Sequence, residues 1–270
     1  MPIQEVNSRQ KIYYIDENQT AKPVVLLIHG LGAISSSWAL QVPDLVKAGF
    51  RVVAPDVHGF GQSPYTGGLH SVRQMTNDIT RLLEQLQIVS ACVVGISMGG
   101  ALALQIALDR PHQIDRLVLV NTFASLRPKN FAVRAYFVYR FLVVCILGLS
   151  SQAQVVARRV FPHPEQEELR QVFYSQIMQA DARGYRAAML ALAFFDVKKR
   201  LPEIKAPTLV ITGQEDTTVP PDTQMVLAKG IQNAQHMIIP GAGHAVIVEK
   251  HQLFNQVLLK FLLSGKTDRF

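Results

Sequence analysis

Short runs of consecutive apolar residues, many of them β-branched, recur along the first half of the chain: "KIYYID", "PVVLLIHG", "FRVVAPD", "ACVVGIS" and "DRLVLVN". Runs without strict alternation predict strands buried on both faces, as in a parallel sheet. Between them the period lengthens. Ser71–Leu86 sets Val72, Met75, Ile79, Leu82, Leu83 and Leu86 along one helical stripe, and the Ala/Leu-rich Gly99–Leu108 predicts a second helix. Strands alternating with helices predict an α/β protein: an open parallel sheet with right-handed crossovers and helices on both faces.

After Val120 the alternation stops. From Ala124 to Arg200 only helical patterns occur, over Lys129–Gly148, Gln152–Phe161, Pro164–Gln179 and Asp181–Phe195. Strand patterns return at "PTLVITG" and "HMIIPG", and a last helix is expected at Gln252–Leu263. The predicted organisation is a core domain of residues 1–123 and 201–270 with a helical cap, 124–200, over the C-terminal ends of the strands. In open α/β sheets that edge is where ligands bind. No internal repeat or low-complexity tract interrupts this plan.

Composition adds boundaries. With 270 residues, 49% hydrophobic and 17% charged, the chain suits a globular domain with a sizeable core. The N-terminus lacks a basic start followed by an apolar run, so no signal peptide is expected and a cytoplasmic location is the default. Phe141–Leu149, the longest uninterrupted apolar part of the 131–149 stretch, is shorter than the ~20 residues a spanning helix needs. Two cysteines, Cys92 and Cys145, give neither a disulfide framework nor metal spacing, and both are expected to be buried thiols. The net charge of +7 lies wholly in residues 125–200, which hold twelve Lys and Arg against five Asp and Glu. No basic stripe interleaved with aromatics accompanies it, so nucleic acid is not an expected partner. A weak contact with a lipid interface through a basic, apolar cap is an expectation of lower rank. A monomer or homodimer is expected.

Candidate chemistry centres on "VVGISMGGALAL". Gly95-x-Ser97-x-Gly99 ends an apolar strand and opens a helix, so Ser97 occupies a sharp turn whose neighbours two residues away must be small. A serine hydroxyl needs a base within reach, a group that orients the base, and donors for the developing oxyanion. The Met98 amide, at a helix N-terminus, is one candidate donor. The Leu31 amide in "LLIHGLGAISSSW" is the other, with Gly30 and Gly32 freeing the backbone and His29 expected to pin the loop. Asp216 in "VITGQEDTTVP" is the candidate acid, with Glu215 its solvent-facing rival. His244 in "IIPGAGHAV" is the candidate base. His58, His70, His112, His163, His236 and His251 are expected at the surface or as caps. The order Ser97, Asp216, His244, each after a predicted strand, is the one this turn requires.

On these stretches, with "VVAPDVHGFGQS" and "GAGHAVIVEK", the chain resembles the α/β-hydrolase fold family over nearly its whole length. The resemblance implies an eight-stranded, mostly parallel sheet with the second strand antiparallel and a helical cap after the sixth. It implies Ser97 as nucleophile, His244 as base, Asp216 as its orienting acid, and Leu31 with Met98 as oxyanion hole. Gly30, Leu31, Met98 and Val219 are expected around the substrate. His58 departs from the family, which usually has Arg there. No metal or organic cofactor is implied.

Within the family, Ser97 rather than Asp argues against epoxide opening and halide displacement. Ala245 stands where ring-fission C–C hydrolases often carry Trp, and the elbow is unlike the Gly-Gly-Ser-Trp-Gly of prolyl aminopeptidases. Perhydrolases and enol-lactonases share "SMGG" and stay open, as do C–C bond hydrolysis, which Ala245 disfavours without excluding, and a non-catalytic receptor on the same fold. The expected reaction is hydrolysis of a carboxylic ester with a hydrophobic acyl or alcohol group. The aromatic residues Phe131, Tyr136, Phe137, Tyr139 and Phe141 are expected mainly to pack the cap on the core, some of them lining the cleft.

Overall fold

The computed structural model describes residues 2–7, 10–67, 70–126 and 131–264. Eight strands, β1 (Ile3–Asn7), β2 (Gln10–Glu17), β3 (Val24–Ile28), β4 (Arg51–Pro55), β5 (Ala91–Ile96), β6 (Ile114–Val120), β7 (Thr208–Gly213) and β8 (Ala234–Ile239), form one sheet. The spatial order is β1-β2-β4-β3-β5-β6-β7-β8. β2 runs antiparallel to both its neighbours, and all other pairings are parallel.

The apolar runs become the central strands, and every residue of β3 and β5 is buried. Side chains alternate between the two faces, so Val24, Leu26 and Ile28 join one core cluster while Val25 and Leu27 join the other. Helices α1 (Val42–Lys47), α2 (Val72–Gln85) and α3 (Met98–Asp109) cover these faces. On α2 the expected stripe is buried at Val72, Met75, Ile79, Leu82 and Leu83, and the Ser71 hydroxyl caps the helix by accepting the Gln74 N–H at 3.1 Å.

Between β6 and β7 the chain forms α4 (Phe131–Leu142), a five-residue π-helical segment (Val143–Leu147), α5 (Gly148–Val160), α6 (Glu167–Ile177) and α7 (Ala182–Ala193). After β7 come α8 (Pro221–Gly230), α9 (Val246–Glu249) and α10 (His251–Leu263). The expected single helix over 129–148 is therefore divided differently. Gly148, at φ +84°, adopts a conformation that residues with a Cβ resist, and α5 starts there rather than at Gln152. The expected start at Lys129 lies outside the described residues, as do the side chains of Phe131, Tyr136 and Phe137.

Expectations about two side chains of this insertion are corrected here. Cys145 is exposed, whereas Cys92 is buried; in the π-helical segment Val143 and Val144 face the core while Ile146 and Leu147 face outward. Tyr139 is exposed, together with Val138 and Leu142, although Phe141 packs against the core. Val138–Val160, at 23 residues, is long and apolar enough to cross a membrane by length and composition, with 39% of its most apolar window buried. The turn at Gly148 divides that stretch.

His58 and His70 are buried rather than superficial. The His58 ring lies 4.7 Å from that of His70, accepts the Thr66 N–H on Nε2 at 3.1 Å, and approaches buried Asp78 at 3.4 Å through Nδ1. Asp78, on the inner side of α2, gives a buried imidazole a partner that sequence spacing does not reveal.

Candidate active site

β5 delivers Ser97 into a turn at φ 54°, ψ −116°, the left-handed side of backbone space where a residue with a Cβ is strained. The close approach is real on both sides. A Cβ on Gly95 would collide with the Gly99 carbonyl, and one on Gly99 with the Ile28 carbonyl. A Cβ on Gly100 would stand 2.5 Å from Thr122. The turn is fastened by Ser97 N–H donating to the Val120 carbonyl at 2.9 Å and by the Thr122 hydroxyl donating to the Ser97 carbonyl at 2.6 Å.

Met98 opens α3 and Leu31 follows β3; among the described residues neither amide donates a backbone hydrogen bond outside regular structure. Met98 does not line the cavity, unlike the expectation for a residue around the substrate, because its side chain is buried in the core. His29 anchors the loop that carries Leu31. Its Nε2 accepts the Val57 N–H at 2.9 Å, which places the ring proton on Nδ1, 2.8 Å from the Gly30 carbonyl. Full burial pushes the His29 pKa down, so the ring stays neutral as this double role requires.

Asp216 and His244 meet across two loops. His244 Nδ1 lies 2.8 Å from Asp216 Oδ2. The other carboxylate oxygen accepts the Thr218 and Val219 N–H groups at 2.8 and 2.9 Å, and Gln224 donates to Oδ2 at 3.3 Å. Asp216 is 2% exposed, so these donors replace the water it has lost. Glu215, the rival carboxylate, is exposed and contacts the site only through its backbone, donating to the Ala242 carbonyl at 2.8 Å.

Ser97 and His244 both line a cavity of about 350 Å³. Among the described residues the Ser97 hydroxyl makes no hydrogen bond within the protein. In ligand-free sites such contacts are often long and tighten on binding. Gly30, Leu31 and Val219 line the same cavity, beneath a roof supplied by α5, α6 and α7. Its walls are mostly apolar, Phe123, Val156, Phe161 and Leu192 among them. Among the described residues no cluster of three or more His, Cys, Asp or Glu is placed to hold a metal.

Three supporting residues escaped the sequence reading. Asn121, just beyond β6 at φ 44°, donates to the Gly243 and His244 carbonyls at 2.9 and 2.8 Å and accepts the Gly213 N–H at 2.8 Å. Glu249 accepts the Gly243 N–H at 2.7 Å and the Gln166 amide at 3.0 Å, which ties the helical insertion to the His244 loop. Burial raises the Glu249 pKa. Gln224, fully buried, connects Asp216 to Thr212, whose hydroxyl donates to Gln224 Oε1 at 2.9 Å. Only the "VNTF" after a strand could have pointed to Asn121; the other two carry no local signal.

The model of the alpha/beta hydrolase fold matches residues 23–251. A protein of Variovorax paradoxus (strain S110) named as the carbamate hydrolase RutD is 33% identical over 246 residues, 88% of this chain and 91% of that protein. The enol-lactonase from Burkholderia xenovorans LB400 superposes with TM-score 0.89 at 28% identity, covering 97% of this chain and 99% of that one. A thermophilic esterase from Thermogutta terrifontis gives TM-score 0.83 at 28% identity, over 94% and 93% of the two chains. With its sheet order, strand directions and matched length, the chain belongs to the α/β-hydrolase fold family.

Proposed function

We propose that this protein is a serine hydrolase of carboxylic esters, lactones included, acting through Ser97, His244 and Asp216. The observation that carries the reading is the strained Ser97 turn opening on the same cavity as an imidazole already bonded to a buried carboxylate. Relatives named as an enol-lactonase and an esterase support it, since a lactone is a cyclic ester. In this reading residues 124–200 act as a cap over a core of 1–123 and 201–270.

The geometry translates into steps. His244 Nδ1–H is held by Asp216, so Nε2 is the free base. Nε2 takes the Ser97 proton as Oγ attacks the ester carbonyl, and the Leu31 and Met98 amides receive the oxyanion. The imidazolium then protonates the departing alcohol. Water, deprotonated by His244, releases the acid from the acyl-enzyme and restores Ser97. The apolar walls hold the carbon skeleton and exclude water.

Hydrolysis of p-nitrophenyl acetate and p-nitrophenyl octanoate by wild type and S97A tests this, alongside mass spectrometry after a sulfonyl fluoride. The expected result is turnover lost by a factor of at least ~10³ in S97A, with the reagent attached at Ser97. Equal rates in the two proteins would overturn the reading.

A further inference from the structure

Among the described residues the cavity wall carries one Asp, Glu, Lys or Arg side chain, Arg140 in the last turn of α4. Arg140 is half-buried, and no described carboxylate pairs with it. It is nevertheless held. With its side-chain amide turned to the orientation in which both its oxygen and its nitrogen find partners, Gln152, fully buried on α5, accepts from Arg140 Nη2 at 2.7 Å and from Nε at 3.1 Å and donates to the Arg140 carbonyl at 3.2 Å. Gln152 thus occupies one edge of the guanidinium and leaves Nη1 uncommitted.

A cation on an apolar wall has lost part of its hydration without gaining a counter-charge, which is costly unless a ligand supplies one. A guanidinium fixed along one edge offers its remaining donors in a plane that suits a carboxylate. Helices α5, α6 and α7, which roof the cavity, belong to residues 125–200, the segment that holds the chain's entire +7 excess and so favours anions. A cation needed only to complement the C-terminus of α4 would have no use for a buried glutamine aligning it along the cavity wall.

We propose that Arg140 is a specificity-determining residue that receives a carboxylate on the substrate, so that the preferred substrates are esters or lactones with an apolar middle and an anionic far end. This rests on the ester-hydrolase reading above and narrows it.

Matched pairs of esters test the inference: monomethyl adipate against methyl hexanoate, and 6-acetoxyhexanoate against hexyl acetate. In wild type the charged member of at least one pair should have the higher kcat/KM. In R140Q that charged-to-neutral ratio should fall about 10- to 100-fold, mainly through KM, the range expected for one charge-assisted hydrogen bond. Q152M, which removes the anchor but keeps the cation, should lower the ratio less and guards against misfolding of R140Q. Calorimetric binding of adipate, at least ~10-fold weaker in R140Q than in wild type, reads the same contact without turnover. Ser97-dependent cleavage of the neutral esters with no charge preference in either protein overturns the inference and leaves the ester reading intact. If no ester is cleaved, the ester reading fails and adipate binding decides: Arg140-dependent binding supports the carboxylate site, and its absence overturns it.

Discussion

Asn121 bridges the two loops that meet at the Asp216–His244 pair: its amide nitrogen reaches the carbonyls of Gly243 and His244, and its oxygen takes the Gly213 N–H. One buried side chain thereby fixes the end of β7, three residues before Asp216, against the His244 loop. N121A leaves three main-chain groups without their partner. The expected cost is about 1–3 kcal/mol of stability, measurable by urea denaturation, with a loss in kcat on the order of 10- to 100-fold as the base shifts. Unchanged kcat would mean that the loop holds itself.

His29 is expected to matter for activity although it lies outside the reacting trio. Its ring joins the Val57 N–H to the Gly30 carbonyl, beside Leu31. H29A should lower stability by about 2 kcal/mol and lower kcat more than it raises KM, because an oxyanion donor acts mainly in the transition state. A variant with the same melting loss and undiminished kcat would contradict this.

Acid should destabilise the fold through buried imidazoles. The His70 pKa is lowered to about 4, first by burial and next by His58. A folded pKa below the unfolded value means a contribution fully present above about pH 6.5 and lost as pH falls toward the folded pKa. The shift corresponds to about 3 kcal/mol as an order of magnitude. H70F should flatten the fall in stability between pH 6.5 and 4.5, measured by denaturant midpoints, relative to wild type. Identical pH profiles would remove His70 from the account.

The Glu249 clasp yields a third kind of measurement. E249A removes the acceptor of the Gly243 N–H and of the Gln166 amide. Hydrogen exchange at the Gly243 amide should speed up by at least ~10-fold in that variant, while the exchange of β5 stays as it was. Protection at Gly243 equal to wild type would show that the clasp carries no load.

The central strands and Ser97 were legible because their requirements are local. A strand buried on both faces needs an unbroken apolar run, and a serine in a left-handed turn needs Gly95 and Gly99 beside it. β1 and α8 were not legible. β1 is an edge strand with mostly exposed or half-exposed residues, and α8 buries only Gln224 and Leu227, so neither has a stripe to read. Asn121 and Glu249 were hard to read for another reason. Asn121 meets Gly243 across 122 positions and Glu249 meets Gln166 across 83, and separations of that size are fixed by topology alone.

The strained backbone at Ser97 sets stability and chemistry against each other at a single codon. Alanine there keeps its Cβ and hence the strain, but glycine adopts φ 54° freely. S97G should therefore raise the unfolding free energy by roughly 1 kcal/mol while removing the hydroxyl. A library selected only for heat resistance would drift toward glycine at this position, and the protein would become hardier as it fell silent.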